Sequence, residues 1–105
     1  MFRKSRAVIE SASLSAGTRT ALSSTVKVPA GVSRIIGIAV FSEGGGVLEL
    51  QASSLGESVY VGLDTNDLTF IPANIPIQPM DEITLYRTAQ TATSSKYEVV
   101  VIYFA

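Results

Sequence analysis

The chain has 105 residues, of which 47% are hydrophobic and only 16% are charged, and it contains no histidine, cysteine or tryptophan. This length fits one domain with a single hydrophobic core. Without histidine or cysteine, the chain lacks the side chains that most often carry catalysis and bind transition metals. A small domain has a large surface that needs polar side chains. The low number of charged residues therefore predicts that a partner subunit covers part of that surface.

Charge is distributed unevenly along the chain. Arg3, Lys4 and Arg6 precede every acidic residue, whereas nine acidic residues outnumber the remaining five basic ones. Three charges are too few for a nucleic-acid-binding patch. These residues form either a solvated, frayed terminus or candidate contacts to an acidic neighbouring subunit. No apolar run is long enough for a signal peptide or a membrane-spanning helix. We therefore expect neither secretion by the standard route nor membrane insertion.

Short segments rich in β-branched residues follow one another along the chain, separated by Gly, Pro, Ser, Asn and Asp. This pattern is typical of strands and turns, and helical periodicity is absent. The run 43–46 predicts a tight hairpin, and the two prolines within 74–81 predict a connection rather than a strand. We predict eight strands, approximately at residues 6–14, 21–28, 32–42, 47–52, 58–63, 68–73, 82–88 and 96–105.

Eight short strands in one small chain predict an all-β fold, namely an eight-stranded antiparallel β-sandwich, for which a jelly roll is the commonest solution. An immunoglobulin-like sandwich is the alternative, but its usual Cys and Trp core residues are absent. We divide the chain into an N-terminal arm or first strand at residues 1–15 and a single β-sandwich domain at residues 16–105.

The third and eighth predicted strands are apolar on both faces. In a two-layer sandwich each sheet has one buried and one solvated face, so each strand should alternate between apolar and polar residues. One apolar face can fill the core, and the other requires cover, either from the N-terminal segment or from another subunit. Besides the three basic residues, the predicted partner interface comprises Ile35, Phe41, Tyr86, Val100, Ile102 and Phe104.

Residue constellations that carry chemistry are missing from the sequence. The serines have no histidine as a general base, and the adjacent acids Asp81 and Glu82 lie at a predicted turn. The best metal candidate is the run 64–67, Asp-Thr-Asn-Asp, which lacks EF-hand spacing and is typical of a β-turn. Calcium binding by that turn stays open. The sequence predicts a protein that is not an enzyme and has no catalytic, cofactor or metal site.

Residues 28–40 and 75–85, together with the apolar closing strand, resemble small jelly-roll proteins of virus particles. The similarity covers roughly residues 20–105. This part of the chain is similar in style to capsid, decoration and spike proteins of phages and archaeal viruses. Because the chain is short and lacks a long basic arm, a decoration or minor capsid protein fits better than a major capsid subunit.

What the resemblance implies is a structural role without catalysis. It implies a homo-oligomer, in the first instance a trimer, that contacts other virion proteins, with residues 1–9 as an anchoring arm. It also implies synthesis in the host cytoplasm without a signal peptide and a final location in the virion.

A receptor- or carbohydrate-binding β-sandwich module of a host-attachment device is the alternative function. Such a module needs aromatic rings on which a sugar can stack. Tyr60 and Tyr86 are predicted to face outward, although tryptophan is absent. A sugar or receptor partner therefore stays open beside the assembly function.

Overall fold

A computed structural model describes residues 4–22, 25–64, 67–90 and 93–105, and within these it describes the side chains outside 8–13 and 93–97. The described residues form nine strands and no helix. The prediction of an all-β fold is confirmed. The strands are β1 (Lys4–Leu14), β2 (Arg19–Ala21), β3 (Val26–Lys27), β4 (Arg34–Ser42), β5 (Gly46–Ala52), β6 (Val59–Leu63), β7 (Asp67–Pro76), β8 (Glu82–Thr88) and β9 (Thr93–Phe104).

The strands pair in two antiparallel sheets. The first sheet has the order β1-β9-β4-β7, and the second has the order β2-β8-β5-β6, with β3 also paired to β8. The N-terminal segment, predicted as an arm or first strand, forms β1 from Lys4 onwards and pairs with β9. The first and last strands of the chain are therefore neighbours in one sheet.

The core is built from alternate residues of strands in both sheets. In the second sheet Leu48 and Leu50 of β5 and Ile83 and Leu85 of β8 are completely buried. Their polar neighbours lie on the opposite face because side chains alternate along a strand. Burying each of these side chains contributes about 1.5–3 kcal/mol relative to exposing it. Residues from both sheets form one hydrophobic cluster, to which the first sheet contributes Ile35, Ile38, Val40, Val100, Ile102 and Phe104.

Four residues of the predicted partner interface belong to this core. Ile35, Val100, Ile102 and Phe104 are at most 1% exposed, so placing them on a partner-facing surface was wrong. In β9 the two apolar faces exist as predicted, but the face that fills the core is the one we had assigned to the interface. In β4 the cause is a register shift between Ile35 and Gly37, which interrupts the alternation of the strand.

The second predicted strand is broken into two pieces. β2 pairs with the last part of β8, and β3 pairs with its beginning, at Lys27 opposite Glu82 and Val26 opposite Ile83. Both pieces therefore border the same neighbour, and the strand predicted at 21–28 is interrupted between them. The sequence pattern showed the strand but not the interruption.

The prediction of a connection at residues 74–81 was wrong for its first three residues. Strand β7 continues to Pro76, and Pro72 and Pro76 lie opposite Gly37 and Arg34 of β4. Proline is tolerated here because β7 is an edge strand with β4 as its neighbour in the sheet. The turn follows at residues 78–81, where the backbone N–H of Asp81 donates to the carbonyl of Gln78.

Candidate functional site

A charged cluster is buried where the two sheets meet. Arg87 of β8 and Glu98 of β9 have side chains that are 0% and 1% exposed, and Arg87 Nε donates to Glu98 Oε1 at 2.6 Å. Ser42 of β4 donates its hydroxyl to the same carboxylate oxygen at 3.1 Å and accepts from Arg87 Nη2 at 2.5 Å. The cluster therefore ties β8 of the second sheet to β4 and β9 of the first.

The same guanidinium holds the hairpin between β4 and β5. Arg87 Nη2 donates to the carbonyl of Gly45 and Nη1 to the carbonyl of Val47, both at 2.5 Å. The second carboxylate oxygen of Glu98 is buried and has no hydrogen-bond partner among the described residues. Because the cluster is closed off from solvent, it stabilises the fold rather than forming a site that a substrate can reach. Side chains alternate along β8, so the sequence alone puts Arg87 on the same side as Ile83 and Leu85, but it does not reveal the partner of Arg87.

The outward face of the first sheet is apolar across three strands. We call it the apolar face and define it by Phe41, Leu68, Phe70, Val99, Val101 and Tyr103. The registers place these residues in rows: Phe41 lies between Leu68 and Val99, and Ala39 lies between Phe70 and Val101. Leu68 and Phe70 are 67% and 59% exposed, and the others are half-buried. Of the predicted interface, Phe41 lies on this face.

Phe70 lies over a gap left by a glycine. A Cβ atom on Gly37 would approach the Phe70 ring to 2.9 Å, so the missing side chain lets the ring settle against β4. Phe70 also meets Tyr103 edge-to-face, with ring centroids 6.1 Å apart, a favoured geometry for aromatic pairs. A large and mostly exposed ring therefore rests against β4 and Tyr103 on the apolar face.

The two ends of the first sheet differ in charge. Lys4 and Arg34 lie at the end where β1 and β4 begin, since both are close in register to Phe104 and Ile35. Glu43 and Asp67 lie at the opposite end, beside Ser42. The middle of the apolar face carries no charged residue among those described. The first sheet thus has a basic end and an acidic end, with the uncharged centre of the apolar face between them.

The outward face of the second sheet is polar and internally bonded. The Arg19 guanidinium pairs with the Glu49 carboxylate at 2.7 and 3.0 Å and lies 3.7 Å from the centre of the Tyr86 ring. Ser58 and Gln51 donate to Glu49 at 2.9 and 2.8 Å. The hydrogen bond from Arg19, aided by Ser58, lowers the pKa of the Glu49 carboxyl to about 2. Tyr86, predicted as an interface residue facing outward, is half-buried beneath Arg19.

A second aromatic residue on this face is open to solvent. Tyr60 is 66% exposed and stands opposite Glu49 in the register of β5 and β6. Nearby, an open groove of about 400 Å³ is lined by polar side chains of β5 and β8 and by the residues that flank them. The lining residues are Gln51, Ala52, Ser53, Glu82 and Thr84.

The remaining predicted site residues lie along β1 or outside the description. Lys4 and Arg6 are exposed on β1, and Lys4 Nζ donates to the carbonyl of Ala30 at 2.7 Å. Arg3 lies outside the described residues, as does the middle of the 64–67 turn that we weighed for calcium. The structure brings Lys4 and Arg6 near neither Phe41 nor Tyr86 in register, so the predicted interface residues do not form one patch.

The described residues contain no group of three or more acidic residues placed to hold a metal ion. Nor do they include a helix with the length and apolarity needed to cross a membrane. Comparison of the chain with models of protein families, with curated proteins and with solved structures finds no match.

Proposed function

We propose that the chain is a non-enzymatic structural protein of a virus particle, of the capsid-decoration or minor-capsid type, and that it works by packing against copies of itself. The observation that carries the proposal is the apolar face of the first sheet, because exposed apolar surface of this extent on a small domain marks an interaction site. The resemblance of residues 28–40 and 75–85 to small virion proteins supplies the biological class.

The proposed architecture is a jelly-roll sandwich. If β2 and β3 count as one interrupted strand, the eight strands divide as 1-8-3-6 and 2-7-4-5. The early strands thus pair with the late strands in both sheets, which is the wrapping expected of two Greek keys. The shared core cluster, with residues from both sheets, supports face-to-face packing of the sheets.

The size of the apolar face suits a subunit contact. The four strands of the first sheet, at a spacing of about 4.8 Å and with nine residues at about 3.3 Å each, give the sheet an outward surface on the order of 600 Å², of which the apolar face on β4, β7 and β9 is the larger part. If two copies cover each other's whole outward surface, they bury on the order of 1,200 Å², which reaches the lower end of stable specific interfaces. The exposed Phe70 and Leu68 side chains would act as anchors of this contact.

The charges at the two ends favour a second copy as the occupant. If two apolar faces stack with their strands antiparallel, the basic end with Arg34 meets the acidic end with Glu43 and Asp67 of the other copy. The uncharged centre meets itself without like-charge repulsion. This contact is two-fold and builds even-numbered assemblies, so we propose an even number of subunits in place of the trimer that the resemblance implies.

The experiment is a mass measurement by sedimentation equilibrium of the wild-type chain and of a Leu68→Ser/Phe70→Ser variant. We expect the wild type to be oligomeric and the variant to form a smaller species. Tyr60→Ser is the matched control, because it removes a similarly exposed ring from the other sheet. A wild type that stays monomeric at high concentration, or a variant with unchanged mass, would contradict the proposal.

The virion assignment has its own test. A structural virion protein is encoded among the other particle genes, so we expect this gene beside genes for capsid, portal or tail proteins. A position within a metabolic operon, with no particle genes nearby, would contradict the virion role and leave the self-association to be judged on its own measurement.

A carbohydrate- or receptor-binding module is the second candidate, and the exposed Tyr60 ring is the observation that favours it. The ring stands opposite Glu49, two residues along β5 from Gln51, which lines the polar groove with Thr84. A sugar stacked on the ring could therefore bond to amide and hydroxyl groups. A glycan array with the wild type and Tyr60→Ala tests this function. Binding that the substitution abolishes supports it, and an array without hits counts against it.

A further inference from the structure

The edges of the two sheets are not equally protected. An edge strand presents unpaired backbone N–H and C=O groups, and proteins shield such edges with prolines, short strands or interruptions. β7 carries Pro72 and Pro76. On the second sheet, β6 has five residues, and the opposite edge is divided into β2 with three residues and β3 with two. Three of the four described edges are therefore poor templates for another strand.

β1 is the exception among these edges. It has 11 residues, contains no proline, and pairs on one side with β9 in a register that is regular up to Ala12. Residues 4–7 at its start are all exposed, and although Lys4 Nζ donates to the carbonyl of Ala30, β9 is the only described strand that pairs with β1. The strand is long enough to pair with another strand along most of its length.

We propose that β1 pairs antiparallel with β1 of a second copy, so that two first sheets join into one continuous sheet. The two-fold axis passes through Val8. Each Arg6 then stands opposite Glu10 of the other copy, and this happens twice because the contact is symmetric. Opposite charges directly across two strands favour pairing, whereas like charges oppose it.

The charge order along β1 selects this direction. Lys4 and Arg6 come before Glu10 in the strand, so a parallel, in-register pair would place identical charges side by side. In the described structure Arg6 donates to the carbonyl of its neighbour Ser5 and forms no ion pair with a described acid. Its guanidinium is therefore available to a carboxylate of the second copy.

This edge contact rests on the proposed self-association but uses a different surface. Stacking of apolar faces and joining of β1 edges are two separate two-fold contacts, and together they build assemblies larger than a dimer. Loss of either contact alone should leave a dimer held by the other one. The two proposals can therefore fail independently.

Charge reversal tests the register. Arg6→Glu and Glu10→Arg each place two like-charged pairs across the contact, and we expect either substitution to weaken dimerisation on the order of tenfold or more. The double variant Arg6→Glu/Glu10→Arg restores opposite charges and should restore wild-type affinity. Measuring these variants in the Leu68→Ser/Phe70→Ser background isolates the edge contact, because that background removes the face contact.

Cross-linking tests the position of the axis. The chain has no cysteine, so a single Val8→Cys substitution can form a disulfide only between copies. Residues directly opposite in antiparallel strands have Cα atoms about 4.5–5.5 Å apart, within disulfide reach. We expect a rapid cross-linked dimer from Val8→Cys and none from Tyr60→Cys, which lies on the shielded β6 edge.

The outcomes separate the two contacts. No cross-link from Val8→Cys, together with single charge reversals that leave the mass unchanged, overturns the edge contact even if Leu68→Ser/Phe70→Ser lowers the mass. A Val8→Cys cross-link and a rescued double reversal support the edge contact even if Leu68→Ser/Phe70→Ser has no effect. Equal cross-linking of Val8→Cys and Tyr60→Cys shows random collision and also overturns it.

Discussion

Replacing Arg87 by methionine is expected to cost about 3–5 kcal/mol of unfolding free energy, the cost of breaking a buried ion pair from one side. Methionine keeps an unbranched side chain but removes the charge. The Glu98 carboxylate, 1% exposed, would then lie in the core without a cation. The carbonyls of Gly45 and Val47 would also lose their guanidinium donors.

The size of the effect makes it easy to measure. For a domain of this length, 1 kcal/mol corresponds to about 4–8 °C in melting temperature, so we expect a decrease of at least about 12 °C. Urea unfolding followed by far-UV circular dichroism suits the chain, which has no tryptophan. Lys27→Met is the control, since Lys27 is exposed on β3 and belongs to neither proposed subunit contact, and it should change stability by less than about 0.5 kcal/mol.

A double variant separates the charge from the packing. In Arg87→Met/Glu98→Leu both charges are gone, so the chain no longer buries an unpaired ion, and we expect it to regain at least about 2 kcal/mol relative to Arg87→Met. Glu98→Leu alone completes the cycle. If Arg87→Met costs less than about 1 kcal/mol, or if the losses of Arg87→Met and Glu98→Leu simply add in the double variant, Arg87 and Glu98 are not a coupled buried pair.

Two further substitutions test local geometry, and one tests electrostatics. Gly46→Ala should destabilise by about 3 kcal/mol or more, because φ is 92° and a Cβ would collide with a carbonyl oxygen of β8. Gly37→Ala should cost only about 1 kcal/mol, because the Phe70 ring can move aside. Equal losses of unfolding free energy for Gly46→Ala and Gly37→Ala, measured by urea unfolding, would contradict both predictions. Arg19→Gln should raise the pKa of Glu49 from about 2 towards 4.5, measured by NMR titration. The pKa of Glu49 is lower in the folded chain than in the unfolded chain, so the Arg19–Glu49 pair stabilises the fold fully above about pH 4.5. The stability difference between the wild type and Arg19→Gln should therefore vanish as the pH falls from about 4.5 to 2.

Much of the fold could be predicted from local sequence patterns. Strand β8 has the predicted bounds of 82–88, and β5 begins one residue before the predicted 47–52. These strands alternate between apolar and polar residues and end at turn-forming residues, so their period and limits are encoded locally. The same alternation puts Leu48, Leu50, Ile83 and Leu85 on the apolar sides of these two strands, and all four are completely buried.

The sites depended on contacts that no local pattern contains. The pattern of β8 put Arg87 on its inward side, but its partner Glu98 lies eleven residues away in the other sheet. The pairing of Arg19 with Glu49 spans 30 residues and requires β2 and β5 to flank β8. Such partners become neighbours only when strand order and register are fixed, which is a property of the whole fold.

By itself the sequence determined that β4 and β9 have two apolar faces, and hence that one face of the first sheet is not covered by the chain's own core. Only the tertiary structure decided which face that is. The register shift after Ile35 and the pairing of β9 between β1 and β4 turn Val100, Ile102 and Phe104 inward. Because a one-residue change of register reverses every side chain of a strand, Val99, Val101 and Tyr103 are left on the outside.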